Sequence, residues 1–203
     1  MKRIGFAIVL LLSVFFVSCG SDEVKTNEDG SKMFEYEPMS WQIAIPEGWQ
    51  VLNEVQRKQL GYAAESFYEG DKTEDAEVQE GEKRIIFGTR KADKNINAMY
   101  AFIRSFSREE AGPDMKELLG QQAAGYNTIP YSADTSITSE TIGSYEFVKA
   151  TMQVYYGEQP YFNYVTYSAM NDTLNFGVSI VSNNGTDADM LTEIFRKSVN
   201  TIK

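Results

Sequence analysis

The 203-residue chain contains no histidine. That absence excludes Ser-His-Asp and Cys-His catalysis. It also excludes the usual imidazole-ligated zinc, copper and non-haem iron centres, and a histidine pH switch. Cysteine occurs once, at Cys19, so no intrachain disulfide forms and the fold relies on packing. Positive charge is scarce: 19 Lys and Arg face 29 Asp and Glu, a formal net charge of −10. The basic footprint of a nucleic-acid binder is missing. An acidic surface is not drawn to anionic headgroups either. No cofactor is expected.

What is present begins with a leader. Met1-Lys2-Arg3 is basic, Ile4–Val17 is apolar, and Ser18-Cys19-Gly20 supplies small residues, the three-part layout of a secretory signal. Fourteen apolar residues at about 1.5 Å each span roughly 21 Å, short of the roughly 30 Å hydrocarbon core, so a membrane-spanning helix is the weaker reading. Cys19 stands where a bacterial lipobox places its lipid-bearing cysteine, although Phe16 occupies a position that is usually Leu. Lipid on Cys19 would tie the chain to a membrane, and two or three acyl chains anchor stably where one does not. Gly20-Ser21-Asp22-Glu23 resembles an acidic signal that directs some lipoproteins to the outer membrane and the cell surface. The periplasmic face and the surface both remain open.

These features divide the chain into a signal peptide at 1–18, a lipidated flexible tether at 19–33 and one domain at 34–203. Removing the leader takes away Lys2 and Arg3 and no acid, which moves the formal charge from −10 to −12.

Within the domain, Trp41, Ile43 and Ile45 alternate with polar or small residues, as in a half-buried strand. Asn53 is placed to cap a helix over roughly Glu54–Tyr68. Lys83–Lys91, with Ile85, Phe87 and Thr89 on one face, and Ala98–Ser107 make a hairpin. Gly112-Pro113-Asp114 opens a second helix to about Gly125. Four further strands follow: Ser136–Ile142, Tyr145–Tyr156, Tyr161–Met170 and Thr173–Val181. The last has the cleanest alternation, Leu174, Phe176, Val178 and Ile180 against Asn175, Gly177 and Ser179. Thr186 and Asp189 have capping-box spacing ahead of a closing helix. The expected fold class is α+β, an antiparallel β-sheet sandwiched by helices.

Three stretches together carry a family resemblance: Trp41-Gln-Ile-Ala-Ile-Pro-Glu-Gly-Trp49, Thr141-Ile142-Gly143-Ser144-Tyr145, and the closing Met190–Lys203 segment. The domain resembles the PsbP-like fold, which a photosystem subunit, a Ran-binding nuclear import factor and DcrB-like bacterial lipoproteins share. The resemblance spans roughly Phe34–Lys203. It implies an α/β/α sandwich and a binding or assembly role rather than catalysis.

Candidate sites are few. Tyr155, Tyr156, Tyr161, Tyr164 and Tyr167 straddle adjacent strands. Of these, Tyr155, Tyr161, Tyr164 and Tyr167 are candidates for an aromatic platform for a sugar or peptide; cross-strand packing accounts for them equally. Asp71, Glu74, Asp75 and Glu77 lie in an acidic loop that suits a basic docking partner or a solvated surface. A calcium loop is disfavoured because Ala76 stands where a glycine is needed. Glu109-Glu110 are adjacent carboxylates, the nearest approach to a glycan-hydrolase pair. Asp172-Thr173-Leu174 resembles a short O-glycosylation acceptor.

The expected function is a lipid-anchored envelope binding or assembly module without catalysis. Its partners would be the membrane, through the lipid, and an unidentified envelope protein or small ligand. A carboxylate-based hydrolase of envelope glycan and a purely structural envelope lipoprotein are the alternatives. Replacing Cys19 by Ala should abolish lipid labelling and move the protein from the membrane to the soluble fraction. Continued membrane pelleting of an unlabelled Cys19→Ala chain would refute lipid anchoring.

Overall fold

The computed structural model describes residues 23–59, 83–92, 96–105, 120, 123–127, 130–171 and 174–202. Cys19 lies outside these residues. Ten strands form two antiparallel sheets. The smaller contains β1 (Glu23–Thr26), β2 (Lys32–Tyr36) and β3 (Trp41–Ile45) in that order. The larger has seven strands in the order β4-β5-β6-β10-β9-β8-β7. Its members are β4 (Trp49–Val51), β5 (Lys83–Lys91), β6 (Ala98–Ser105), β7 (Tyr131–Ile142), β8 (Tyr145–Tyr156), β9 (Gln159–Asn171) and β10 (Leu174–Ser182).

The expected single sheet sandwiched by helices is therefore corrected: the fold is mostly β, with two sheets and few helices. The difference arises at the start of the chain. Glu23–Thr26, read as part of the tether, pairs with Lys32–Glu35. Tyr36 pairs with Trp41 and Phe34 with Ile43, so β3 joins this hairpin rather than the main sheet. A strand's alternation says which face is buried but not which neighbour it pairs with.

The small sheet and the closing helix, Gly185–Val199, together cover one face of the large sheet. Phe34, Trp41 and Ile43 from the small sheet, Leu191, Phe195 and Val199 from the helix, and Phe87, Met99, Phe147, Tyr167, Phe176, Val178 and Ile180 from the large sheet form one buried cluster. Trp41 is fully buried; its indole N–H donates to Ser198 Oγ at 2.9 Å, and its ring meets Phe176 at 5.2 Å and Phe87 at 6.0 Å. A buried indole N–H left unpaired costs about 1–3 kcal/mol, so this bond fixes the helix against β3. Thr201 Oγ1 adds a second tie by accepting from Gln42 N at 2.8 Å. On the opposite face of the large sheet, Ala123 and Tyr126 pack on Ala150, Met152, Val154 and Phe162.

Strands β7 to β10 form an antiparallel meander in chain order. The β7–β8 and β8–β9 hairpins turn at Gly143 and Gly157, with φ of 60° and 61°, a conformation that glycine adopts without strain. The alternation expected in β5 is broken. A register shift between Ile85 and Phe87 sets Ile85 opposite Phe102 and Phe87 opposite Ala101, and Ile85, Ile86 and Phe87 are all buried. Asn53 does cap a helix at residues 54–59: Gln56 N donates to Asn53 Oδ1 at 2.9 Å and Asn53 N to Gln56 Oε1 at 3.0 Å.

Gly177 sits where two layers touch. A Cβ there would lie 2.2 Å from a ring carbon of Phe102 and 2.7 Å from the main-chain oxygen of Tyr167. The ring can shift; the backbone oxygen of an interior strand cannot. Gly177→Ala should destabilise the domain by about 1–3 kcal/mol, read as a lower urea midpoint. An unchanged midpoint would contradict the tight approach.

Candidate functional site

The four candidate tyrosines do not form one platform. Tyr167 is 1% exposed; its ring centroid lies 4.9 Å from Phe195 and 6.4 Å from Phe147, within the core. Tyr164, three residues earlier, projects to the opposite face. Its hydroxyl lies 2.9 Å from Tyr100 Oη and donates to Ser179 Oγ at 3.2 Å, and Thr166 Oγ1 lies 2.9 Å from the same Ser179 oxygen. These hydroxyls satisfy one another in mid-sheet. Tyr155 is half-buried, opposite Ser132 and Pro160. Only Tyr161 among the four is largely open, at 48%.

The exposure of Tyr161 has a local cause. Val154 pairs with Phe162 and Tyr155 with Pro160, so Tyr161 is the extra residue of a β-bulge. A bulge leaves its extra residue outside the ladder and re-aims its side chain. Here it brings Tyr161 to Tyr131, 36% exposed, at 5.8 Å between ring centroids. Tyr131 in turn meets its cross-strand partner Tyr156, 54% exposed, at 5.4 Å. The cluster at this end of the sheet is therefore Tyr131, Tyr156 and Tyr161. Tyr131 escaped sequence reading because β7 starts five residues before Ser136, in a stretch whose residues are mostly exposed.

Beside Tyr161 runs a shallow, open groove of about 200 Å³. Its walls are Gln153 on β8, Pro160, Phe162 and Asn163 on β9, Ser182 on β10, and the chain from Asn183 to Gly185 with Ala188. No charged side chain lines it. Gln153 Nε2 donates to the main-chain oxygens of Phe162 at 2.9 Å and Val154 at 3.1 Å, which braces the bulge. Asn163 Oδ1 is buried and accepts no hydrogen bond. A buried acceptor without a donor forfeits about 1–3 kcal/mol, so the groove holds one polar atom whose bonding is unfinished.

The helix side of the groove is held by a polar knot. Asn184 is the N-cap, its Oδ1 accepting from Asp187 N at 2.8 Å. The cap thus falls two residues before the Thr186 expected from sequence. The Asp187 carboxylate receives Asn184 Nδ2 at 2.9 Å, Lys91 Nζ at 2.9 and 3.0 Å, and Asn97 Nδ2. Asn97 Oδ1 accepts from Asn183 N at 2.8 Å, so the same group fixes the groove wall. Burial opposes the charged form of Asp187, but the hydrogen bonds from Asn184, Lys91 and Asn97 outweigh it and hold its pKa below the usual carboxylate value.

A lowered folded-state pKa contributes stability above the unfolded value of about 3.9, and that contribution is lost as pH falls through the folded value. Asp187→Asn should lower stability at neutral pH by about 1–3 kcal/mol and should flatten the acid limb of stability against pH. Urea midpoints from neutral to acid pH test this; parallel curves for both proteins would contradict it.

Asp71, Glu74, Asp75 and Glu77 lie outside the described residues, as do Glu109, Glu110 and Thr173. Among the described residues, no group of three or more Asp, Glu or Cys is placed to hold a metal ion, and no helix is long and apolar enough to cross a membrane. Glu140 is engaged by Arg196, whose Nε donates to Oε1 at 2.7 Å, and by Lys149 at 3.9 Å.

No family model and no curated protein matches the chain. Among solved structures, it is similar to cyanobacterial PsbP (CyanoP) from Synechocystis sp. PCC 6803, with a TM-score of 0.50 and 7% sequence identity over 92% of this chain and 95% of that one. At that identity the likeness establishes the fold alone, and the fold of this chain is PsbP-like.

Proposed function

We propose that the chain is a lipid-anchored, non-catalytic binding module of the bacterial cell envelope. The single observation that carries the binding role is the exposed cluster of Tyr131, Tyr156 and Tyr161 beside the groove at Asn163. Aromatic rings are the residues that folding most readily buries, and three of them held open on a braced sheet end suit a recognition surface. The lipobox-like leader ending at Cys19 supplies the anchor, and the outer membrane is the favoured location. Nothing in the described carboxylates favours a second, hydrolytic reading: Glu140 and Asp187 are both tied into structural ion pairs.

A photo-crosslinking residue at Tyr156, irradiated in intact cells, should give a discrete adduct. The same residue at Lys197, exposed on the closing helix, should give none. Equal yields at both positions would remove the support for this face as the binding surface.

A further inference from the structure

We propose that the groove beside Tyr161 binds a neutral glycan, one sugar ring at a time, with Tyr161 as the stacking wall and Asn163 Oδ1 as a hydroxyl acceptor. This deepens the binding-module reading and rests on it. Four features point to that chemistry. The groove lining carries no charge, so it offers nothing to an ionic ligand. Its polar side chains are amides, which serve hydroxyl groups as both donors and acceptors. The buried Asn163 oxygen needs a donor, which a sugar O–H supplies. The adjoining tyrosine rings present apolar faces with polar tips, matched to a pyranose that has a C–H face and a hydroxyl rim.

The sheet argues against an extended peptide in the same place. Such peptides bind by adding to an open strand edge. The groove lies over β9, which is interior: Asn163 pairs with Gln153 on one side and Ser182 on the other. Its main-chain groups are already used, so recognition must go through side chains. The size agrees, since about 200 Å³ open to solvent suits one ring of a longer chain lying across the groove rather than an engulfed molecule.

The test titrates the full chain, in detergent, with neutral hexasaccharides (cellohexaose, maltohexaose, mannohexaose and chitohexaose), followed by tyrosine fluorescence and calorimetry. A parallel titration uses a random hexapeptide library. At least one hexasaccharide should bind. Tyr161→Ala should weaken it about tenfold, Tyr161→Phe should retain it, and both variants should melt like the parent. Asn163→Leu, which fills the space but accepts no hydrogen bond, should weaken binding comparably. Its fold is checked by the same melt, and Tyr161→Ala decides the matter alone if that variant does not fold. Binding that Tyr161→Ala leaves intact would overturn the site. Peptide binding lost in Tyr161→Ala, with no sugar bound, would overturn the glycan class and leave the binding-module reading standing. Silence from both panels would count against both.

Discussion

Trp41 is the point at which three separately formed pieces become one domain. Its ring lies against Phe34 of its own sheet, against Phe87 and Phe176 of the large sheet, and its N–H reaches Ser198 on the closing helix. Neither the three-stranded sheet nor a single amphipathic helix is stable alone in water. Each becomes stable by covering the same apolar face, and the indole joins the two covers to each other as well as to the sheet. The groove depends on this arrangement at one remove. The helix that Trp41 locks at its C-terminal end presents Asn184 and Ala188 to the groove at its N-terminal end.

The meander was legible in the sequence wherever one face of a strand is buried and the other is not. In β10, Phe176, Val178 and Ile180 face the core while Gly177 and Ser179 face the other side, and alternation alone finds that pattern. β7 was only partly legible. It is an edge strand with exposed Ser, Thr and Asp, held by twelve backbone pairs with β8 rather than by burial, so its first five residues carry no apolar signal. The β1–β2 hairpin was missed for the same reason, since polar residues dominate it and its value lies in presenting Phe34 and Tyr36 beside Trp41.

The site was harder to read than the fold because it is built from departures from regularity. Sequence alternation assigns Tyr161 and Tyr167 to one face, but a bulge intervenes and only one of them reaches solvent. Tyr131 and Tyr156 become neighbours only through the register of two strands, which no local pattern encodes. The Asp187 knot gathers Lys91, Asn97 and Asn184 from three chain segments, and only the helix-capping part of it has a sequence signature.

The hairpin formed by Glu23–Thr26 and Lys32–Tyr36 also sets a distance. With lipid on Cys19, as proposed, four residue steps separate the anchor from the first paired strand, a contour of about 14 Å at most. A domain so held has little freedom to range outward. It is confined to a thin layer next to the headgroups, and the ligands within its reach are those of the membrane's own near surface rather than of the wider envelope space. In that layer binding gains from high local concentration, so even a weak single-ring contact is enough to hold a polymer that lies along the membrane.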